Sequence, residues 1–180
     1  MADIRAETIY MASALVCAVT GACFDYRSQR IPNWLTASST VAAVLLHGLL
    51  GGWREMGVAV LAGLAAGGAF LLFYVVGGMG GGDVKLIAAV GACAGLSHLA
   101  AILITTALAG GAIAMLLAVA TGRLRQTLAN VFRLLAHHGS SGLQPHPDLN
   151  LANAQSPRLP YGIAIATGTV VVASAVWLGY

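Results

Sequence analysis

Six apolar runs recur along this chain of 180 residues, over positions 8–24, 35–51, 57–77, 83–96, 98–120 and 161–179, and no soluble core could absorb them all. Only 8% of the residues are charged and 58% are hydrophobic, whereas a soluble domain carries roughly 25% charged residues. Lipid must therefore cover most of the surface. Runs near 20 residues, rising about 1.5 Å per residue, match a hydrocarbon core about 30 Å thick. The expectation is an all-α, polytopic membrane protein with about six transmembrane helices, forming a single domain over residues 1–180. The 23 glycines suit close helix contacts in a bilayer. No internal repeat is apparent, so an inverted-repeat transporter has no support.

The residues ahead of the first run include Asp3, Arg5 and Glu7. They lack the basic region of a cleavable signal, so residues 8–24 are expected to remain as the first helix. Orientation follows from the basic residues. Arg27, Arg30, Lys85, Arg123, Arg125, Arg133 and Arg158 fall in or beside loops one, three and five, leaving only Arg5 and Arg54 on the other side. Loops one, three and five are then cytoplasmic and both termini lie outside. Tyr10, Trp53, Trp177 and Tyr180 would mark the outer interface, and Tyr26, Trp34 and Tyr161 the inner one. The net charge of +3 is scattered between apolar runs, so a nucleic-acid partner is not expected.

Loop five is the one long polar stretch. From Arg123 to Ala136, Leu124, Leu128, Val131, Phe132 and Leu135 share one helical stripe, which predicts an amphipathic helix on the inner leaflet. Residues 137–158 are rich in Ser, Gly, Pro and Asn and read as a flexible linker, so 123–159 form a cytoplasmic helix plus loop. His137, His138 and His146 lack a carboxylate or thiol at ligand spacing, and no metal is expected. Cys17, Cys23 and Cys93 lie in apolar runs without a C-x-x-C pair and read as small buried thiols in helix packing.

The fourth run is too short. Residues 83–96 would span about 21 Å as a helix, and Gly77-Gly78-Met79-Gly80-Gly81-Gly82 precedes them. Such a stretch does not hold a helix, and irregular backbone at membrane depth survives only when buried or lining water. A Gly-rich loop dipping into an aqueous pocket is expected, with Asp83 at the start of a short fourth helix, where the helix N-terminus favours a carboxylate. Of the six acidic residues, only Asp25 and Asp83 abut apolar helix ends on the cytoplasmic side. A carboxylate inside a membrane helix costs about 2.5–3.5 kcal/mol on insertion scales, which argues for function. The residues alone leave open that both are simply interfacial.

Asp25-Tyr26-Arg27-Ser28-Gln29-Arg30-Ile31-Pro32-Asn33 resembles the first signature of the type IV prepilin peptidases, an Asp leading through a basic turn to Ile-Pro-Asn. Gly80-Gly81-Gly82-Asp83 with Lys85-Leu86 resembles their second, the G-x-G-D of membrane aspartyl proteases. Pro160-Tyr161-Gly162, followed by Ala164-Ile165-Ala166 and Gly168, resembles the segment that opens their last helix. The three fall in family order, and the short length resembles the tight-adherence (Flp) pilus branch.

The resemblance implies an intramembrane aspartyl endopeptidase with Asp25 and Asp83 as catalytic pair. Gly80, Gly82, Lys85, Arg30, Pro32, Asn33, Pro160, Tyr161 and Gly162 would shape the site or touch substrate. Lys85 could equally meet lipid headgroups, and Arg27 and Arg30 could serve topology alone. The implied substrate is a prepilin or pseudopilin with a short basic leader, a Gly before the cut and an apolar helix after it, processed at the cytoplasmic face of the bacterial inner membrane. No cofactor is implied. Larger bifunctional relatives add a zinc-binding domain with paired C-x-x-C motifs and N-methylate the product, and this sequence has no such motif. Two other functions remain: a proton or cation transporter using the two Asp, and an inactive pilus-assembly scaffold. The transporter would need polar residues near the outer helix ends, where none is expected.

Overall fold

The computed structural model describes residues 2–142, 144 and 160–179. The elements are α1 (Ala2–Ser28), α2 (Asn33–Gly51), α3 (Trp53–Val75), α4 (Gly81–Ala94), α5 (Leu96–Ala120), α6 (Leu124–Ser141) and α7 (Tyr161–Leu178). Helices α2, α3, α5, α7 and Arg5–Ser28 of α1 are long and apolar enough to cross a membrane. The chain is thus an all-α, multi-pass membrane protein. The sixth expected span is α4, which has only 14 residues and lies in the middle of the bundle, in contact with all five long helices.

A helix apolar on every side belongs in a core, and Leu86, Ile87 and Ala89–Ala94 are all buried. Its seat against α3 is built from small residues. A Cβ added to Gly91 would come within 2.7 Å of the Ala66 Cβ and 3.0 Å of the Ala62 carbonyl, and one on Gly63 would lie 3.1 Å from the Ala88 carbonyl. Apolar side chains gain little by leaving lipid for protein, so close backbone contact of this kind supplies the attraction. On the other side, Gly21 of α1 leaves room for the Leu86 side chain.

Single-residue corners keep the bundle tight. Gly95 joins α4 to α5 at φ 76, ψ 177, a conformation open essentially only to glycine. The apolar runs suggested a break two residues later. After α3, Gly77 (φ 79) closes the helix: its N–H donates to the Tyr74 carbonyl at 3.0 Å and that of Gly78 to Phe73 at 2.9 Å, a Schellman pattern. The glycine run is irregular only as far as Gly80, and Gly81 and Gly82 already belong to α4.

Helix α6 continues past the expected end at Ala136 to Ser141, stopping before Gly142 at φ 66. It exposes Leu128, Val131 and Phe132 and, among the described residues, packs on α5 alone. Most of the expected linker, with His146, Asp148 and Arg158, lies outside the described residues, as does Tyr180. Three expectations need correction. Tyr10 is no interfacial anchor, because it is buried and stacked on His47 with ring centroids 3.6 Å apart. Tyr161 faces a cleft inside the bundle. Cys23 is exposed, while Cys17 and Cys93 are buried.

The helix ends away from the Asp83 pocket, where no polar residue was expected, are not apolar either. A cavity of about 540 Å³ there is lined by Glu7, Tyr10, His47, Glu55 and His98 among others. His47 lies 3.9 Å from Glu55 and His98 lies 3.7 Å from Glu7. These residues are far apart in sequence, and only the convergence of five helix ends gathers them. Helix α4 runs from the Asp83 pocket to this cavity, which Ala94 and Gly95 also line. Between the two, Met11, Ala14, Leu86, Ile87 and Val90 are fully buried and fill the interior with apolar side chains.

The packing of α4 sets a stability test. Gly91→Ala should destabilise the protein by about 1–3 kcal/mol, the usual cost of overpacking. Gly57→Ala, where nothing lies within 4 Å of the added carbon, should be neutral or slightly stabilising. Unfolding titrations of the two variants in mixed micelles measure the difference.

Candidate active site

Asp25 sits in the last turn of α1, three residues before the helix ends at Ser28. The chain then turns through Gln29 at φ 50, whose N–H closes back on the Asp25 carbonyl at 2.8 Å. Pro32 begins α2 at φ −65, ψ 136, and its carbonyl accepts the Leu35 N–H at 3.2 Å. The Phe24 and Trp34 rings meet edge to face, 5.9 Å apart, and brace this turn. Asp25 is only 8% exposed.

The partner of Asp25 comes from the far end of the chain. Pro160 opens α7 without a side-chain cap, which leaves first-turn N–H groups unsatisfied. The Gly162 N–H donates to Asp25 Oδ2 at 2.9 Å, so the carboxylate of α1 caps α7 and lies at the positive end of that helix. A Cβ on Gly162 would sit 2.9 Å from the Asp25 Cβ and 3.0 Å from Oδ2. Pro-Tyr-Gly is thereby accounted for: proline starts the helix, and glycine lets the carboxylate reach the backbone.

Asp83 is the third residue of α4, in its first turn. Its N–H donates to the Gly80 carbonyl at 3.1 Å, and a Cβ on Gly80 would lie 3.1 Å from Oδ2. Asp83 is also 8% exposed, and its Oδ1 is buried without a hydrogen-bond partner. In a protein interior such an atom is costly to leave unpaired.

Both carboxylates line one pocket of about 340 Å³. Arg30, Asn33, Gly80, Gly82 and Lys85 line it too, together with Gln29, Ile31 and Gly81, which belong to the same motifs but were not among the expected site residues. Lys85 Nζ donates to Asn33 Oδ1 at 2.9 Å, linking the starts of α4 and α2 across the pocket mouth. Gly82 lies against Ile31, with 3.4 Å for an added Cβ. Pro32 and Pro160 initiate helices and do not line the pocket, and Tyr161 belongs to a neighbouring cleft. Among the described residues, no three His, Cys, Asp or Glu side chains are grouped so as to hold a metal ion.

Two buried carboxyl groups in one pocket at the end of an apolar bundle make a candidate acid–base site. The model of the type IV leader peptidase family matches residues 10–115, a span that contains both Asp25 and Asp83. The chain belongs to this family, which implies a peptidase that removes leader peptides. No curated protein and no solved structure gives a significant match.

The cap on Asp25 generates a second test. Gly162→Ala should leave an inserted, folded protein but push the Asp25 carboxylate off its donor. Leader cleavage should fall by tenfold or more, on the order of the loss from misplacing a reacting group by about 1 Å. Gly82→Ala, where the new carbon makes ordinary contact, should fall far less. Initial rates on one leader-bearing substrate, with folded protein matched, compare the two.

Proposed function

We propose that this single-domain protein is an intramembrane aspartyl endopeptidase that cuts the leader from prepilins or pseudopilins, with Asp25 and Asp83 as its catalytic pair. The observation that carries the reading is the meeting of two buried carboxylates, from segments 58 residues apart in sequence, in one pocket at the end of an apolar bundle. Two carboxyl groups so placed hold one proton between them. The ionised member takes a proton from a water molecule as that water attacks the scissile carbonyl. The protonated member hydrogen-bonds the carbonyl oxygen and then supplies the leaving amine. Their titration belongs to the pair.

The supporting residues divide the work. Gly162 holds Asp25 through its N–H. Gly80 and Gly82 let the backbone pass close to Asp83 and Ile31, and Lys85 with Asn33 frames the pocket mouth. Arg30, at the same mouth, would meet the polar part of the substrate. The pocket would face the cytoplasm at the bacterial inner membrane, in keeping with the basic residues beside it. The reaction needs no metal or methyl donor. A transporter fits less well, because buried apolar side chains separate the pocket from the outer cavity.

Asp25→Asn and Asp83→Asn should each abolish leader cleavage without loss of folded protein, since Asn cannot exchange a proton. The double variant should be no worse than either single, because residues acting as one unit lose activity non-additively. Product N-terminal sequencing reads the outcome, and appreciable cleavage by either single variant would refute the assignment.

Orientation has its own test. Single cysteines at Ser28 and Glu55, in a background without native thiols, should differ in intact cells. An impermeant reagent should label position 55 and reach position 28 only after the membrane is opened.

A further inference from the structure

The cavity at the far end of α4 has no part in the proposed chemistry, yet it is larger than the pocket of the two Asp, about 540 Å³ against about 340 Å³. Its polar walls come from four helices. Glu7 and Tyr10 belong to α1, His47 to α2, Glu55 to α3 and His98 to α5. Among the described residues no Lys or Arg lines it, so its two carboxylates set the sign of its charge. Leu50 in its wall and Trp53, two residues past Gly51, are exposed on a surface that lipid must cover. Tryptophan in that setting marks headgroup depth.

His47 is held from several sides. It is 1% exposed, stacks on Tyr10, and its Cε1 would lie 3.2 Å from a Cβ added to Gly95. Its Nε2 is 3.1 Å from the Cys93 carbonyl oxygen. A carbonyl only accepts, so Nε2 carries the hydrogen, and in the neutral ring Nδ1 is left with a lone pair. That buried atom has no hydrogen-bond partner. It faces Glu55 Oε2 across 3.9 Å, and an ionised carboxylate also only accepts. Near it, His98 Nε2 is buried without a hydrogen bond and lies 3.7 Å from Glu7 Oε1. Each gap is too wide for a direct hydrogen bond, but a donor about 2.9 Å from both atoms fits between them. A metal ion would need more ligands, and among the described residues no three His, Cys, Asp or Glu side chains are grouped to hold one. Leu50, Val58 and Leu96 give the rest of the cavity an apolar lining.

We infer that this cavity binds a primary ammonium group, seated between His47 and Glu55 and carried by a lipid headgroup or by a small free amine. An ammonium brings three N–H donors and one positive charge. One N–H meets His47 Nδ1, another meets the Glu55 carboxylate, and the apolar lining takes the attached carbon chain. A quaternary ammonium has the charge without the donors and leaves Nδ1 unpaired, which is unfavourable for a buried acceptor. The site therefore discriminates between the two by hydrogen bonding, and it does so whether or not the chain cleaves leaders.

Matched probes test this. The full-length protein in neutral micelles would be titrated with phosphatidylethanolamine and phosphatidylcholine of identical short acyl chains, and separately with pentylamine and pentyltrimethylammonium. Native mass spectrometry reads the binding. In at least one pair, wild type should bind the primary amine about tenfold or more tighter than its quaternary match, the worth of a charge-assisted hydrogen bond. A preference confined to the lipid pair assigns the ammonium to a headgroup, and a preference that includes pentylamine assigns it to a free amine as well. Glu55 is half-exposed, so Glu55→Gln should fold, and it should weaken the preferred probe by about tenfold through loss of the charge. Val58→Phe, which fills part of the cavity, is a second variant and should weaken the same probe. Equal binding within both pairs would overturn the inference, and so would wild-type affinity in both variants. Binding of no probe would overturn it too, leaving only water in the two gaps.

Discussion

The close contact of α3 with α4 through glycine and alanine determines where Asp83 can be. A helix of 14 residues cannot reach both faces of a bilayer by itself, and its polar ends would be stranded at membrane depth unless other helices surrounded them. Close approach across Ala62, Gly63, Ala66 and Gly91 puts α4 inside the ring of longer helices. Both of its ends then open into pockets instead of lipid. Irregular backbone before Asp83 becomes tolerable for the same reason. The recessed carboxylate, the glycine-rich loop and the cavity at the far end of α4 are thus three consequences of one shortened, buried helix.

Much of this was legible in the sequence because the strongest signals are local. Low charge and six apolar runs specified the bundle, and the glycine run with 14 residues behind it specified the short helix and its loop. Asp25 and Asp83 stood out because they are acidic residues against apolar helix ends. What stayed hidden depends on convergence. Nothing around Gly162 announces that its N–H serves a carboxylate 137 residues earlier. Glu7, His47, Glu55 and His98 come from four different helices, and only the convergence of helix ends groups them. Gln29 entered the pocket through a left-handed turn, φ 50, that side-chain chemistry does not encode. Tyr10 misled for a related reason: an aromatic near a helix end reads as interfacial unless its stacking partner, here His47, is known.

The two carboxylates are not equivalent in their support. Asp25 lies at the C-terminal end of α1, which disfavours a negative charge. Position alone would leave that group poorly supported, and the N-terminus of α7 offsets it with a fixed N–H on Oδ2. Asp83 starts at the favourable end of its own helix and needs no helper from elsewhere, yet its Oδ1 is left without a protein partner. One oxygen of the pair is thus committed to holding the fold, and another is buried without a protein partner. An arrangement that only stabilised the bundle would be expected to satisfy both, since an unpaired buried oxygen is a net loss. Stability given up at Asp83 while Asp25 is braced supports the proposed reactive role of the pair, since strain and unmet hydrogen bonds gather at such sites.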